Sequence, residues 1–171
     1  MNQKFGDLFT KFLFIFFIWT CIAFFFRIGY WVVRNKIKTI KQILQSFPDS
    51  QMGLHYLVDL GKTSQKNYPV EDRVEENFIH GCTSQAWIKL NNDDPIQINT
   101  VSDSVIVSGI LYLLEEVFNW EPKSSIENLD GQDLIDRLGL EGTISSQRLR
   151  GFAEAIRMMK EWNNQFQEQV N

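Results

Sequence analysis

The segment NFIHGCTSQAWIKL, residues 77–90, sets Cys82 between Gly81 and two hydroxyl residues, Thr83 and Ser84, just ahead of a stretch that alternates like a β-strand. A thiolate attacks a disulfide, or the outer sulfur of a persulfide, and can keep the sulfur it receives. That chemistry asks for a loop that can extend, small neighbours, and donors for the anion. Gly81 opens backbone conformations closed to other residues, and the hydroxyls of Thr83 and Ser84 can donate hydrogen bonds. On local chemistry alone, such a cysteine is more often a small buried residue. His80 raises a Cys–His pair but reads as a spectator loop histidine, and His55, among Leu54, Tyr56 and Leu57, reads as structural. One usable cysteine and two scattered histidines lack metal-ligand spacing, so no metal site is expected.

The chain around this segment has 171 residues and a formal net charge of −4. That length fits one ordinary domain with an appendage and allows a core without covalent staples. The cysteines, Cys21 and Cys82, cannot form a disulfide framework, and no N-x-[ST] glycosylation acceptor occurs. A reducing, cytoplasmic setting follows from that usage. Residues 35–171 carry 13 basic and 20 acidic side chains. An acidic domain without a basic stripe excludes nucleic acid as the expected partner. Phosphate-binding, dinucleotide-binding, zinc-protease and nucleophile-elbow motifs are absent from the sequence.

Residues 1–34 differ in kind. Nine of the fourteen phenylalanines fall there, and FLFIFFIWTCIAFFF (12–26) is an uncharged, almost wholly apolar run of fifteen. A spanning helix needs about 20 residues. Counting through Arg27 to Val33 gives twenty-two, and Arg34, Lys36, Lys38 and Lys41 follow. The division is therefore an apolar segment, 1–34, a candidate membrane anchor through residues 12–33, and a globular domain, 35–171, left on the cytoplasmic side by the positive charges. The other reading makes the run a dispensable extension.

Periodicity outlines the domain. Ile37, Ile40, Leu44 and Phe47 predict a helix stopped at Pro48-Asp49, and Leu54, Leu57, Val58 and Leu60 predict another with Gly61 as its C-cap. Residues 62–76 read as a loop. Ala86, Ile88 and Leu90, then Ile96, Ile98 and Val101, predict a hairpin around the turn NNDDP. Asp103 or Ser104 is placed to cap a buried helix, VIVSGILYLLEEVF. A short helix ending at Gly139 and a long amphipathic helix with the stripe Leu149, Phe152, Ile156, Met159, Trp162 and Phe166 complete an α+β fold. It consists of a small antiparallel sheet packed by helices.

Three separated segments, NFIHGCTSQAWIKL, SDSVIVSGILYLL and LGLEGTISSQRLRGFAEAIRMMK, resemble the SufE family of sulfur-acceptor proteins in order and spacing. The resemblance covers about residues 37–162. Its N-x-[IV]-x-G-C motif falls on Asn77, Ile79, Gly81 and Cys82. It implies that Cys82 accepts sulfur as a persulfide, with Ser84, Gln85 and Trp87 matching the residues that follow. Thr83 stands where the family usually has glutamine. The second motif falls on Ser102, Asp103, Ser104, Ile106, Val107 and Gly109, with Ile110 for leucine, and the third on Ser145, Arg148, Gly151 and Phe152. Asp103 and Arg148 are candidate partner-binding residues, Asp103 reading first as a cap and Arg148 equally as a solvated surface residue.

The resemblance implies a SufS-like cysteine desulfurase as donor, which this chain would stimulate, and a SufB-type scaffold or another acceptor as recipient. The pyridoxal phosphate (PLP) of desulfuration would belong to the donor, so the chain needs no cofactor and is an accessory to an enzyme. A monomer or weak dimer is expected. Two other classes stand beside this reading. One is a thiol redox protein, for which Cys21 is a poor resolving partner. The other is a binding module in which Cys82 plays no part.

Overall fold

The computed structural model describes residues 29–64, 70–91, 93–127 and 129–168. The apolar run 12–26 and Cys21 therefore lie outside the described residues, as do the first seventeen positions of the candidate anchor 12–33. No helix among the described residues is long and apolar enough to cross a membrane.

Helix α1 occupies residues 29–46 and buries Val33, Ile37, Ile40 and Leu44 at helical spacing. It crosses the domain start expected at residue 35, and Val33 is already part of the core. Lys36 fastens this helix through an ion pair with Glu121 at 2.6 Å. Pro48 cannot continue the helix because it offers no amide hydrogen. Asp49 then accepts the Met52 amide at 2.9 Å and starts α2, Ser50–Ser64.

Gly61, expected as the end of α2, lies inside it. The reason is packing against α3, Val105–Phe118. A Cβ on Gly61 would stand 2.0 Å from the Val105 carbonyl oxygen, and one on Gly109 1.7 Å from that of Leu57. Two glycines thus let backbone meet backbone, and α3 is buried along most of its length, as its uniformly apolar sequence predicts.

The hairpin pairs β1, Ala86–Leu90, with β2, Ile98–Ser102, antiparallel in the register Ala86↔Ser102 to Leu90↔Ile98. Ala86, Ile88, Leu90 and Ile98 face the core, but Thr100 and Ser102 are buried too. Buried hydroxyls need partners, and α3 supplies them. Glu115 Oε1 accepts from the Thr100 amide at 2.7 Å and from its hydroxyl at 2.6 Å. Ser108 Oγ accepts from the Ser102 amide at 2.8 Å and donates to its carbonyl at 3.2 Å. At the far end of α3, the Asn119 side chain pairs with both backbone groups of Ile98. Side chains of one helix thereby replace the strand that β2 lacks on that edge.

Two 3₁₀ turns, Val70–Asp72 and Glu75–Asn77, punctuate the expected loop before the hairpin. Helices α4, Ser124–Glu127, and α5, Gly131–Leu138, divide the one short helix expected there. The Asp130 side chain caps α5 and Gly139, at φ 72°, ends it as predicted. Helix α6, Ser146–Glu168, lays Phe152, Ile156 and Met159 on the core.

Burial pushes the Glu115 carboxyl up to about 7, against the opposing hydrogen bonds from Thr100. Its folded-state pKa lies above the unfolded value. The stabilisation is therefore complete below about pH 4.5 and disappears as pH rises through 7. Chemical denaturation from about pH 5 to about pH 8 should reveal a loss of up to ~3 kcal/mol from this group, and Glu115→Gln should flatten that slope. An identical slope in the variant would mean that Glu115 titrates alike in the folded and unfolded chains.

Candidate functional site

The loop bearing Cys82 is held at both ends and free between them. On one side, the Ile79 amide donates to the Ala86 carbonyl at 2.8 Å. On the other, the Gln85 carbonyl accepts from the Asp103 amide at 3.0 Å and the Ser102 hydroxyl at 2.7 Å. Ile79 is buried, so the loop base is anchored in the core. Gly81 has φ 80° and no atom within 4 Å of where a Cβ would sit. Glycine is required there by conformation, since an L-residue is strained at that φ, while the space around it is open.

Asn77 pins the loop from outside. Its side-chain amide donates to the Asp72 carbonyl at 2.8 Å, and the Asp72 carboxylate pairs with Lys89 of β1 at 2.6 Å. Phe78 and His80 pack edge-on, as do Phe78 and Trp87, with Arg73 over the Trp87 ring. His80 Nε2 lies 3.4 Å from Glu75. On α6, the hydrogen bond from Arg157 holds the Glu154 carboxyl below its usual range.

Cys82 is a free, half-buried thiol packed against the core. Its seat is Gly151 on α6: a Cβ placed on Gly151 would come within 3.2 Å of both Cβ and Sγ of Cys82. The missing side chain makes the notch in which the sulfur rests. Sequence reasoning took Gly151 only as a motif position. The signal was nonetheless there, because glycine inside an amphipathic helix costs about 1 kcal/mol against alanine and usually marks a close approach.

The remaining candidates distribute around this seat. Thr83 is exposed and Ser84 half-buried, both beside the sulfur-bearing residue in the loop. Gln85 serves through its backbone carbonyl. Arg148 is half-buried one helical turn before Gly151, on the same surface of α6. Asp103 is exposed at the end of β2, its amide on the loop base. It does not cap α3. Ser104 occupies that position without a side-chain bond, and the Asp103 carboxylate lies 3.4 Å from Ser102 Oγ, whose proton goes to the Gln85 carbonyl. Ser102 Oγ also accepts the Ser104 amide at 3.2 Å, so the amide of the capping residue has a partner. Among the described residues, no group of three or more His, Cys, Asp or Glu is arranged to hold a metal ion.

The notch predicts a specific response to Gly151→Ala. The added methyl would press on Cys82 from 3.2 Å and require it to give by a few tenths of an ångström, which the loop can do because the space around Gly81 is open. Alanine also favours the helix, so stability should change by no more than about 1 kcal/mol. Thiol alkylation at Cys82 should accelerate several-fold; an unchanged rate would mean that the notch gives the sulfur no shelter.

Comparisons with known proteins bear on the fold and the family. The chain is 32% identical over 110 residues to an uncharacterised SufE-like protein of Rhizobium meliloti, covering 61% of this chain and 78% of that one. It is 28% identical over 136 residues to a SufE-like protein of Rhizobium etli, covering 75% and 91%. The solution structure of a hypothetical protein from Thermus thermophilus shares the fold, with a TM-score of 0.64 at 17% identity, over 78% of this chain and 96% of that one. The family model for SufE, described as an Fe-S metabolism associated domain, matches residues 38–162, which contain the loop, its anchors and its seat. The chain belongs to the SufE family.

Proposed function

We propose that Cys82 accepts sulfane sulfur from a SufS-like cysteine desulfurase and relays it as a persulfide to a SufB-type scaffold or another acceptor in iron–sulfur cluster assembly. The observation that carries this reading is the seating of the Cys82 thiol over Gly151, at the centre of a loop pinned only at its ends. In the transfer, the Cys82 thiolate attacks the terminal sulfur of the donor's persulfide. A new S–S bond forms on Cys82, the donor's S–S bond breaks, and the donor thiolate leaves, so no external oxidant or reductant is consumed.

Each local feature has a part in that step. Left-handed backbone at Gly81 lets the loop turn outward, and the hydroxyls of Thr83 and Ser84, next to Cys82 in the chain, can donate to the sulfur anion. The Gly151 notch keeps the charged persulfide from adventitious thiols until it meets its acceptor. Arg148 and Asp103, near the seat and the loop base, are the residues for partner contact. The chain works without a cofactor of its own; the PLP acts on the partner. Removing the donor's persulfide frees that enzyme for its next turnover, which makes the protein a desulfurase activator.

Alanine production by a SufS-type desulfurase, given cysteine as substrate, should rise several-fold with the wild-type chain. With Cys82→Ser it should stay at the rate of the desulfurase alone, while the variant still binds the enzyme. Stimulation retained by Cys82→Ser would replace sulfur relay with the binding-module reading.

A further inference from the structure

Three of the large apolar side chains exposed on the domain are aromatic: Tyr30 at 67%, Trp31 at 65% and Trp120 at 71%. They gather at one end of the molecule. Gly29 packs on Pro122, 3.1 Å from where its Cβ would sit, and Gly29, Val32, Trp120 and Pro122 line one depression. Trp31 also lines a groove with Arg34, Lys38 and Lys41, which succeed it on α1 at helical spacing.

Trp120 is held against its own preference. It has φ 69°, a conformation natural to glycine and strained for a bulky residue, and its amide is fixed by the Ile96 carbonyl at 3.0 Å. Fold stability alone would favour glycine in this turn. An indole kept there and left in water points to a binding role.

We propose that this end of the domain, with Tyr30, Trp31 and Trp120 as aromatic contacts and Arg34, Lys38 and Lys41 as cationic ones, is a docking surface for an anionic lipid bilayer. Tryptophan and tyrosine favour the headgroup level, and cations beside them complement acidic lipid. The sequence outside the described residues supports this occupant, because the fifteen-residue apolar run 12–26 ends two residues short of Gly29, where the described chain begins at this surface. The groove that Trp31 shares with Arg34, Lys38 and Lys41 is lined otherwise by Asn35, Ile37 and Arg137. Glu121 is paired with Lys36, and Glu116, Asp93 and Asp94 lie on the flanking surface.

The arrangement also orients the sulfur site. Trp120 is bonded beside the Leu90–Ile98 end of the hairpin, whereas Cys82 precedes its Ala86–Ser102 end. The strands separate the two, so a domain docked by its aromatic end presents the cysteine loop away from the lipid. This inference does not depend on sulfur transfer.

Flotation of the full chain with vesicles of phosphatidylcholine containing about a third phosphatidylglycerol, and with phosphatidylcholine alone, tests it. Binding should be stronger to the anionic vesicles and weaken about tenfold or more in the double variant Arg34→Glu, Lys38→Glu. Trp120→Gly should keep or raise the thermal midpoint, yet bind several-fold less and lose part of the tryptophan emission quenched by brominated phosphatidylglycerol. Quenching untouched by Trp120→Gly, or affinity indifferent to lipid charge and to both variants, would overturn the docking surface and leave any binding to residues 12–26. A lipid-free dimer dissociated by Trp120→Gly would overturn it in favour of a second copy.

Discussion

The approach of α3 to α2, backbone against backbone at Gly61 and Gly109, is the constraint from which the site follows. A methyl group at Gly109 would occupy the position of the Leu57 carbonyl, so the depth of α3 in the core is set within a fraction of an ångström. That depth brings Ser108 to Ser102 and Glu115 to Thr100. Ser102 in turn holds the Gln85 carbonyl, one of the two pins of the cysteine loop. A packing requirement between two helices is thereby transmitted through polar contacts to the loop that bears Cys82.

The cysteine itself is treated differently from the scaffold. Its loop has anchored ends, an unobstructed glycine and a seat made by the absence of a side chain on α6. Under the proposed relay, sheltering and presenting a sulfur are opposing demands, which a short loop with fixed ends can meet by moving alone. Thr83, exposed beside the thiol where the family usually has glutamine, keeps a donor but shortens its reach.

Much of this was legible in the residues. The alternation Ala86, Ile88, Leu90 marked β1, the apolar stretch Val105–Phe118 was the buried helix, and Gly139 ended α5. The motif singled out Cys82 as a candidate, and the structure adds its seat on Gly151. Long-range contacts were not legible: Gly61 looked like a cap because a cap and a packing glycine are identical in one dimension, and only the partner helix distinguishes them. Asp103 looked like a cap for the same reason, since nothing local announces that Ser102 and Ser108 already satisfy that turn. Gly151 needed the cysteine loop folded over it to become a seat.

Intact mass spectrometry of the chain, after incubation with cysteine and a SufS-type desulfurase, addresses sulfur acceptance most directly. The account predicts a reductant-labile gain of one or more sulfur atoms on the wild-type chain and none on Cys82→Ser. No gain on the wild type beside a demonstrably active desulfurase, or an equal gain on the variant, would contradict it.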